Sequence, residues 1–395
     1  MFLSAPSPGA RPESVGAAAM LALMKDEQLR TRADLASATG LGRSTVNLRL
    51  ETLRELGLVT PVQDGLSTGG RPPGRFAFNP EARLVLAVDL GATQAHVAVT
   101  DLCARILVER AARRSIGDGP ERVLAWVVDT ARQLLAEVER GPDGVAGVGV
   151  GLPGPVEHSS GRPVNPPIMP GWDDFDVAGW LRERLGAVVL VDNDVNVMAV
   201  GEHHARWSKV GHLLFVKVAT GIGAGLIIDG RINRGARGAA GDLGHTRLAQ
   251  STEAVCRCGK VGCLEAVASG GAIAAALTRA GTPARDTGDV VRLVQAGDAE
   301  AVRRVRQAGR DLGEVLATCV NLLNPSVLVI GGRLAEAEED LLTGVREAVS
   351  HSSLPLATQD LRIVAGQSGT RAGVTGAAVM VLDHVHSPEV LDALG

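Results

Sequence analysis

Three of the chain's five cysteines crowd into Cys256, Cys258 and Cys263, and His245 lies a short way upstream. Zinc favours four tetrahedral nitrogen and sulfur ligands, and a Cys3His set is a closed arrangement with no position left for water or substrate. Gly259 and Gly262 let the chain fold tightly around an ion. A secreted disulfide framework would instead spread an even set of cysteines over a small domain. The cluster therefore points to structural Zn2+ held by His245, Cys256, Cys258 and Cys263, fixing the orientation of His245 and of Glu265 beside it. Cys103 and Cys319 stand apart.

A second constellation follows the apolar run 188–191: Asp192, Asn193, Asp194, Val195 and Asn196. A carboxylate at a strand end in an α/β cleft is the expected place for a general base. Asn193 and Asp194 can grip a pair of sugar hydroxyls, the amide donating and accepting while the carboxylate accepts. The same residues also read as an Asx turn capping a helix that runs to about residue 206. Two loops flank this segment. The strand 84–88 leads into Asp89, Leu90, Gly91, Ala92 and Thr93, with a second strand at 96–100. The strand 215–219 leads into Thr220, Gly221, Ile222, Gly223, Ala224 and Gly225, with a strand running on to 228. Small-residue turns of this kind cradle phosphate oxygens with backbone N–H groups, and Asp89 can hold Mg2+ or order a water. Gly331 and Gly332 end the apolar strand 327–330 and would let a nucleotide base or ribose approach the backbone. The repeated strand, glycine loop and strand predicts two pseudo-equivalent lobes facing a nucleotide.

The elements that must present these residues come after a different kind of segment. Residues 14–24 place Val15, Ala18, Ala19, Leu21 and Ala22 on one expected inward helix face. Thr31 reads as an N-cap with Asp34 three positions on, before a helix over 32–39. Gly40, Leu41 and Gly42 form a turn with an apolar plug. A second helix over 43–56 buries Val46, Leu50 and Leu53. Two strands, 58–62 and 75–78, enclose a loop rich in Gly and Pro with Arg71 at its tip. Helix, turn, helix and wing is a DNA-reading pattern. Arg43, Ser44, Thr45, Asn47 and Arg49 lie early in the second helix, where side chains reach bases or phosphates, and Arg71 suits a minor groove.

The 395 residues exceed one compact core and predict several domains. Through residue 80 there are nine basic and seven acidic residues, against 31 and 37 in the remainder. A mildly basic head on an acidic body permits nucleic-acid contact through the head. No apolar run is long enough to span a membrane, and residues 1–12 read as a disordered arm rather than a secretory signal. The expected location is the cytoplasm. The expected division is a winged helix-turn-helix over 13–80, a first α/β lobe over 84–192, and a second lobe over 193–395 whose final helix returns to the first.

Together these segments resemble the ROK family, which joins repressors and sugar kinases, from the helix near Ser14 to the helix near Val385. The segment 219–265 carries the resemblance most specifically, ATGIGAGLIIDGRINRGARGAAGDLGH followed by CRCGKVGCLE, with Gly151, Leu152, Pro153, Gly154 and Pro155 and the stretch 165–172 upstream. The resemblance implies an actin-like, sugar-kinase fold with ribonuclease H-like lobes. It implies Asp194 as general base in a kinase, and Asn193, Asp242, His245 and Glu265 as sugar contacts. It implies zinc on His245 and the three cysteines, with Gly91, Thr93, Thr220 and Gly221 at the phosphates. Two departures stand out. Ala92 and Gln94 occupy positions where active kinases of the family carry glycine and lysine, and Asp242 stands where they carry glutamate, one methylene longer.

These departures favour a sugar-responsive regulator, a repressor of sugar uptake or metabolism genes that binds a palindromic operator as a homodimer or homotetramer. The second reading is an ATP- and Mg2+-dependent hexose kinase that keeps a DNA-binding head. A third, a pure interaction module, would leave Asn193, Asp194, His245 and Glu265 without work.

Overall fold

A computed structural model describes residues 16–26, 28–62, 74–251 and 253–394. The expected arm over 1–12 and the wing tip with Arg71 lie outside the described residues. The N-terminal region is built from helix α1 (Ala17–Met24), β1 (Arg30–Thr31), α2 (Arg32–Thr39), α3 (Arg43–Glu55), β2 (Val59–Val62) and β3 (Arg75–Phe78). Thr31 and Asp34 make both bonds of a capping box at the start of α2. Gly40, at φ +70°, closes α2 in the left-handed conformation that glycine adopts freely. Leu41 plugs the turn, and Val46, Leu50 and Leu53 turn inward from α3. The inward face of α1 is rotated from the expected one: Ala17, Met20 and Met24 are buried with Ala18 and Leu21, whereas Ala19 is exposed. Methionine side chains reach the core from positions that small alanines cannot.

The body contains two five-stranded sheets of the same design. The first uses β4 (Leu84–Leu90), β5 (Gln94–Thr100), β6 (Ile106–Arg113), β7 (Val145–Leu152) and, after the small hairpin β8 (Val156–Glu157) and β9 (Arg162–Pro163), β10 (Val189–Asn193). The second uses β11 (Leu213–Val218), β12 (Ile222–Ile228), β13 (Arg231–Asn233), β14 (Val327–Gly331) and β15 (Arg362–Ala365). In each, three strands form an antiparallel meander and two further strands add in parallel to its first strand, giving β6-β5-β4-β7-β10 and β13-β12-β11-β14-β15. The central parallel strands β7 and β14 are buried and apolar because both sheet faces are covered there.

Helices α4 (Pro120–Glu137) and α5 (Val177–Leu185) pack on the outer face of the first sheet. Outside the second sheet lie α7 (Glu265–Ala268), α8 (Gly270–Arg279), α9 (Thr287–Gln295), α10 (Ala299–Leu323), α11 (Glu339–Ser352) and α12 (Pro355–Thr358), mostly around one apolar core. Between the sheets run α6 (Asp194–Arg206) and α13 (Arg371–Val385), followed by α14 (Pro388–Leu391). Helix α6 packs on β11 and β12, and α13 packs on β4 and β7. Gly201 and Gly376 let the two helices meet backbone to backbone: a Cβ on Gly376 would stand 1.7 Å from the Val197 carbonyl oxygen.

Two expectations need adjustment. The first strand continues through Asp89 to Leu90, so only residues 91–93 form the turn. The second glycine loop is shorter than its sequence suggests, because Gly223 and Gly225 already belong to β12. Added Cβ atoms there would meet Val195 and Ala199 of α6, so these glycines make room for a helix. No helix among the described residues is long and apolar enough to cross a membrane.

Candidate functional site

The metal-ligating side chains converge. The ligand atoms of His245, Cys256, Cys258 and Cys263 all lie within 4.8 Å of one another. His245 Nδ1 is 3.6 Å from Cys256 Sγ, and the sulfurs of Cys258 and Cys263 are 3.7 Å apart. Tetrahedral zinc with ordinary bond lengths would set these separations at about 3.6 and about 3.8 Å, so the residues fit the ion. Burial pushes the Cys263 thiol up to about 12; a bound dication supplies the charge that a thiolate there requires. The loop is stitched by backbone bonds from Leu248 to Gly262, Leu264 to Thr246 and Glu265 to Gly244. These pair the chain around His245 with the chain entering Glu265. Because Nδ1 faces the sulfur, the Nε2 edge of His245 is left for other use.

Asn193 is the last residue of β10 and the N-cap of α6. Its Oδ1 accepts from the Val195 N–H at 2.9 Å, and its Nδ2 donates to the Gly154 carbonyl at 2.8 Å. The cap, the alternative reading of these residues, is thus formed, and the amide retains one N–H and one lone pair for a ligand. Asp194, the first residue of α6, is only 2% exposed. Glu265 opens α7 and accepts from the Ile222 N–H at 3.0 Å. A Cβ on Gly221 would stand 2.5 Å from Glu265 Oε2, so the glycine admits this carboxylate to the second loop. Asp242 is exposed. It lines a recess of about 290 Å3 with Leu243 and Cys319 that none of Asn193, Asp194 or Glu265 lines.

One residue absent from the sequence reading belongs here. Lys217 of β11 donates a hydrogen bond to Asp194 Oδ2. Burial raises the Asp194 carboxyl and Lys217 opposes that. For Lys217 itself burial works downward, but Asp194, Asp89 and the hydrogen bond outweigh it and hold the ammonium above its ordinary value. Asp89 is pushed up to about 7 by burial and next by Asp194, again opposed by Lys217. The available signal was a lysine inside the apolar run of a buried strand, where an unpaired charge is too costly to leave.

Of the loop residues, Gly91 and Gly221 are half-buried, Thr93 is exposed and Thr220 is half-buried. Gly331 and Gly332 have a reason within the protein: added Cβ atoms would lie 2.4 Å from the Phe215 ring and 2.6 Å from the Val218 carbonyl oxygen. On α3, Arg43, Ser44 and Asn47 are exposed, and Thr45 and Arg49 are half-buried. The first turn of α3 holds no acidic residue, so its N–H groups face solvent without a competing negative charge.

Head and body are joined through the C-terminus. Asp392 Oδ1 accepts from the Ala18 N–H at the start of α1 at 3.2 Å. The Lys25 ammonium donates to His386 Nδ1 at 2.8 Å, and His386 meets Phe78 edge to face. Burial, and after it Lys25, pushes His386 down to about 3.

The family model described as ROK matches residues 85–384. The xylose repressor of Caldicellulosiruptor bescii is 29% identical over 385 residues, covering 94% of this chain and 96% of its own. The crystal structure of a ROK family transcriptional regulator, a homologue of the Escherichia coli MLC protein, superposes with a TM-score of 0.82 at 25% identity, over 96% of this chain and 97% of that one. The ROK hexokinase of Thermus thermophilus is 34% identical with a TM-score of 0.62, over 76% of this chain and 99% of that one.

Proposed function

The chain belongs to the ROK family, and from that premise we infer that it is a transcriptional repressor whose head binds an operator and whose body senses a sugar. The observation that carries this reading is the head itself. The regulators cover 94% and 96% of this chain, whereas the hexokinase covers 76% of it at 99% of its own length, and the family model matches only from residue 85. What the regulators add is the segment that presents Arg43, Ser44 and Asn47 on an uncapped helix start.

In this reading the working units are the head over 13–80, the lobe over 84–192 and the lobe over 193–395. Arg43 and Ser44 contact phosphates, Thr45, Asn47 and Arg49 read base edges, and Arg71 follows the minor groove. The sugar lies at the start of α6, held by Asn193, Asp194, His245 Nε2 and Glu265, with Asp242 approaching through water. Zinc, bound by His245, Cys256, Cys258 and Cys263, supplies a rigid cross-link. The chain's own part is to hold His245 and Glu265 in one orientation through the paired segments 244–248 and 262–265. Gly91, Thr93, Thr220 and Gly221 border the same cleft, and Gly331 and Gly332 serve packing first. A ligand at Asp194 shifts α6; α13, locked to α6 by glycine, carries the shift to His386 and Lys25. Two heads in a homodimer then change their spacing on a palindrome.

The test is selection of genomic fragments by the purified, zinc-loaded full chain at one fixed moderate salt concentration, with and without D-xylose, D-glucose or N-acetyl-D-glucosamine. The expected result is a palindrome with half-sites about one helical turn apart whose occupancy one of these sugars alters. No enriched sequence in any condition, together with ADP release from ATP and a sugar, would replace this reading with a kinase.

A further inference from the structure

Lys217 is poorly explained as a strand residue. Its registered neighbours on β12 and β14 are Gly223 and Gly331, so neither partner position supplies a side chain of its own, and the Phe215 ring covers Gly331. The stem crosses toward α6, where the ammonium bonds Asp194; the two side chains are 20% and 3% exposed. Asp89 approaches Asp194 from the first sheet: a Cβ on Gly151 would stand 3.3 Å from the Asp194 Cα and 3.4 Å from Asp89 Oδ1. Its carboxylate is crowded by Gly151 and Gly373, where added Cβ atoms would stand 3.4 and 2.1 Å from its two oxygens. One ammonium of the second sheet is therefore set between carboxylates from two elements, β4 of the first sheet and the helix α6 between the sheets.

A phosphotransfer site needs this space for other things. A carboxylate at the first loop orients Mg2+ or its waters, and a general base needs a free lone pair aimed at the substrate hydroxyl. Here one oxygen of Asp194 is already bonded to a cation, and a divalent ion beside Asp89 would face a fixed ammonium. The remaining balance is also unfavourable for anions. Asp89 and Asp194 share a single lysine, and Arg234 is committed to Asp192 at 2.6 Å.

We propose that Lys217 determines the specificity of the cleft: it is a built-in cation that takes the place of a divalent metal ion between Asp194 and Asp89 and restricts the site to an uncharged sugar, without nucleotide. This rests on the reading of the cleft as a sugar sensor. The covalent tether makes the cation permanent, so ligand binding is independent of Mg2+. A sugar phosphate meets net negative charge with no metal to screen it.

The experiment uses the full chain loaded with zinc. Mn2+ binding, followed by loss of the free-ion electron paramagnetic resonance signal, is compared between wild type and Lys217→Met. Wild type should bind no Mn2+ in the cleft, and Lys217→Met should gain a site that Asp89→Asn removes. Lys217→Gln, which keeps a hydrogen-bond donor to Asp194 without the charge, serves the same comparison if the methionine variant does not fold. Calorimetry of wild type with D-glucose and N-acetyl-D-glucosamine, and with the 6-phosphate of each, should show the uncharged member binding about tenfold tighter or more. Mn2+ binding by wild type that depends on Asp89, no gain in the folded variants, or preference for the phosphate would each overturn the proposal. If neither sugar nor phosphate binds, the sensor reading fails and the restriction to uncharged sugars falls with it, while the Mn2+ result still decides whether Lys217 replaces a metal.

Discussion

A single methyl group at the crossing of α6 and α13 tests whether these helices couple cleft to head. In Gly376→Ala the new carbon would stand 1.7 Å from the Val197 carbonyl oxygen and 2.8 Å from the Gly201 nitrogen. Carbon and oxygen rest at about 3.3 Å even in their closest favourable contacts, so the helices must part by roughly 1.5 Å. Both obstacles are backbone atoms, and no side-chain rotation relieves them. Overpacking of this kind costs about 1–3 kcal/mol, and a backbone clash belongs at the upper end. Alanine returns about 1 kcal/mol through helix propensity, leaving a net loss of about 2 kcal/mol. For a large domain that is a fall in melting temperature of about 4–8 °C. The same separation moves Asp194 away from its partners, and a displacement of about 1 Å is enough to cost large factors at a built site. Gly211→Ala is the control, because nothing lies within 4 Å of its added carbon; its stability should stay within about 0.5 kcal/mol. Thermal melts and sugar titrations of the operator complex are the assays. A Gly376→Ala protein that melts with wild type and releases DNA at the same sugar concentration would refute the reasoning.

Removing the metal should be a stability event. Cys258→Ser is expected to cut bound zinc from about one per chain to a small fraction and to lower the melting temperature, checked by metal analysis beside a melt; unchanged zinc content would contradict the ligand assignment. His386 makes a pH prediction. Its value in the folded chain, about 3, lies below the ordinary histidine value of about 6.5, so the unfolded chain binds the extra proton between them. The contribution to stability is complete above about pH 6.5 and is lost at about 1.4 kcal/mol per unit as the pH falls toward the folded value. Melts at about pH 7.5 and about pH 5.5 should differ less in His386→Gln than in wild type; equal differences would rule this out. On α3, Arg43→Ala should weaken every sequence alike and reduce the salt slope by about one, whereas Asn47→Ala should relax base preference at one position by about 1–3 kcal/mol. Competition binding at several salt concentrations separates the two, and a base-specific effect of Arg43 would reverse their roles.

Features whose cause is local could be read directly from the sequence. The capping box at Thr31 and Asp34, the turn at Gly40, the three helices and the strands β2 and β3 of the head follow from nearby residues, whereas β1 exists only through its pairing with the distant β3 and carries no local signal. The metal cluster was equally legible, because three of its ligands fall within eight residues and only one geometry serves the ion. The repeated strand and glycine turn announced two lobes, since each lobe starts with the same hairpin. The glycines were harder: Gly223, Gly225, Gly331 and Gly332 read as room for a nucleotide, yet added Cβ atoms there would strike Val195, Ala199, Phe215 and Val218. A glycine in sequence states that something comes close without stating what.

The sequence by itself determined the family, the helix-turn-helix, the zinc ligands and the position of Asp194 at a strand end, because each is written in neighbouring residues. Tertiary structure alone decided what Asp194 faces. Lys217 lies on β11 of the second sheet and Asp89 on β4 of the first; only the packing of α6 between the two sheets brings these charges together. It also decided that α1 rests on Asp392 and His386, contacts that join positions more than 350 residues apart. Local pattern records what one segment prefers, whereas a buried charge is settled by whichever distant segment comes to neutralise it.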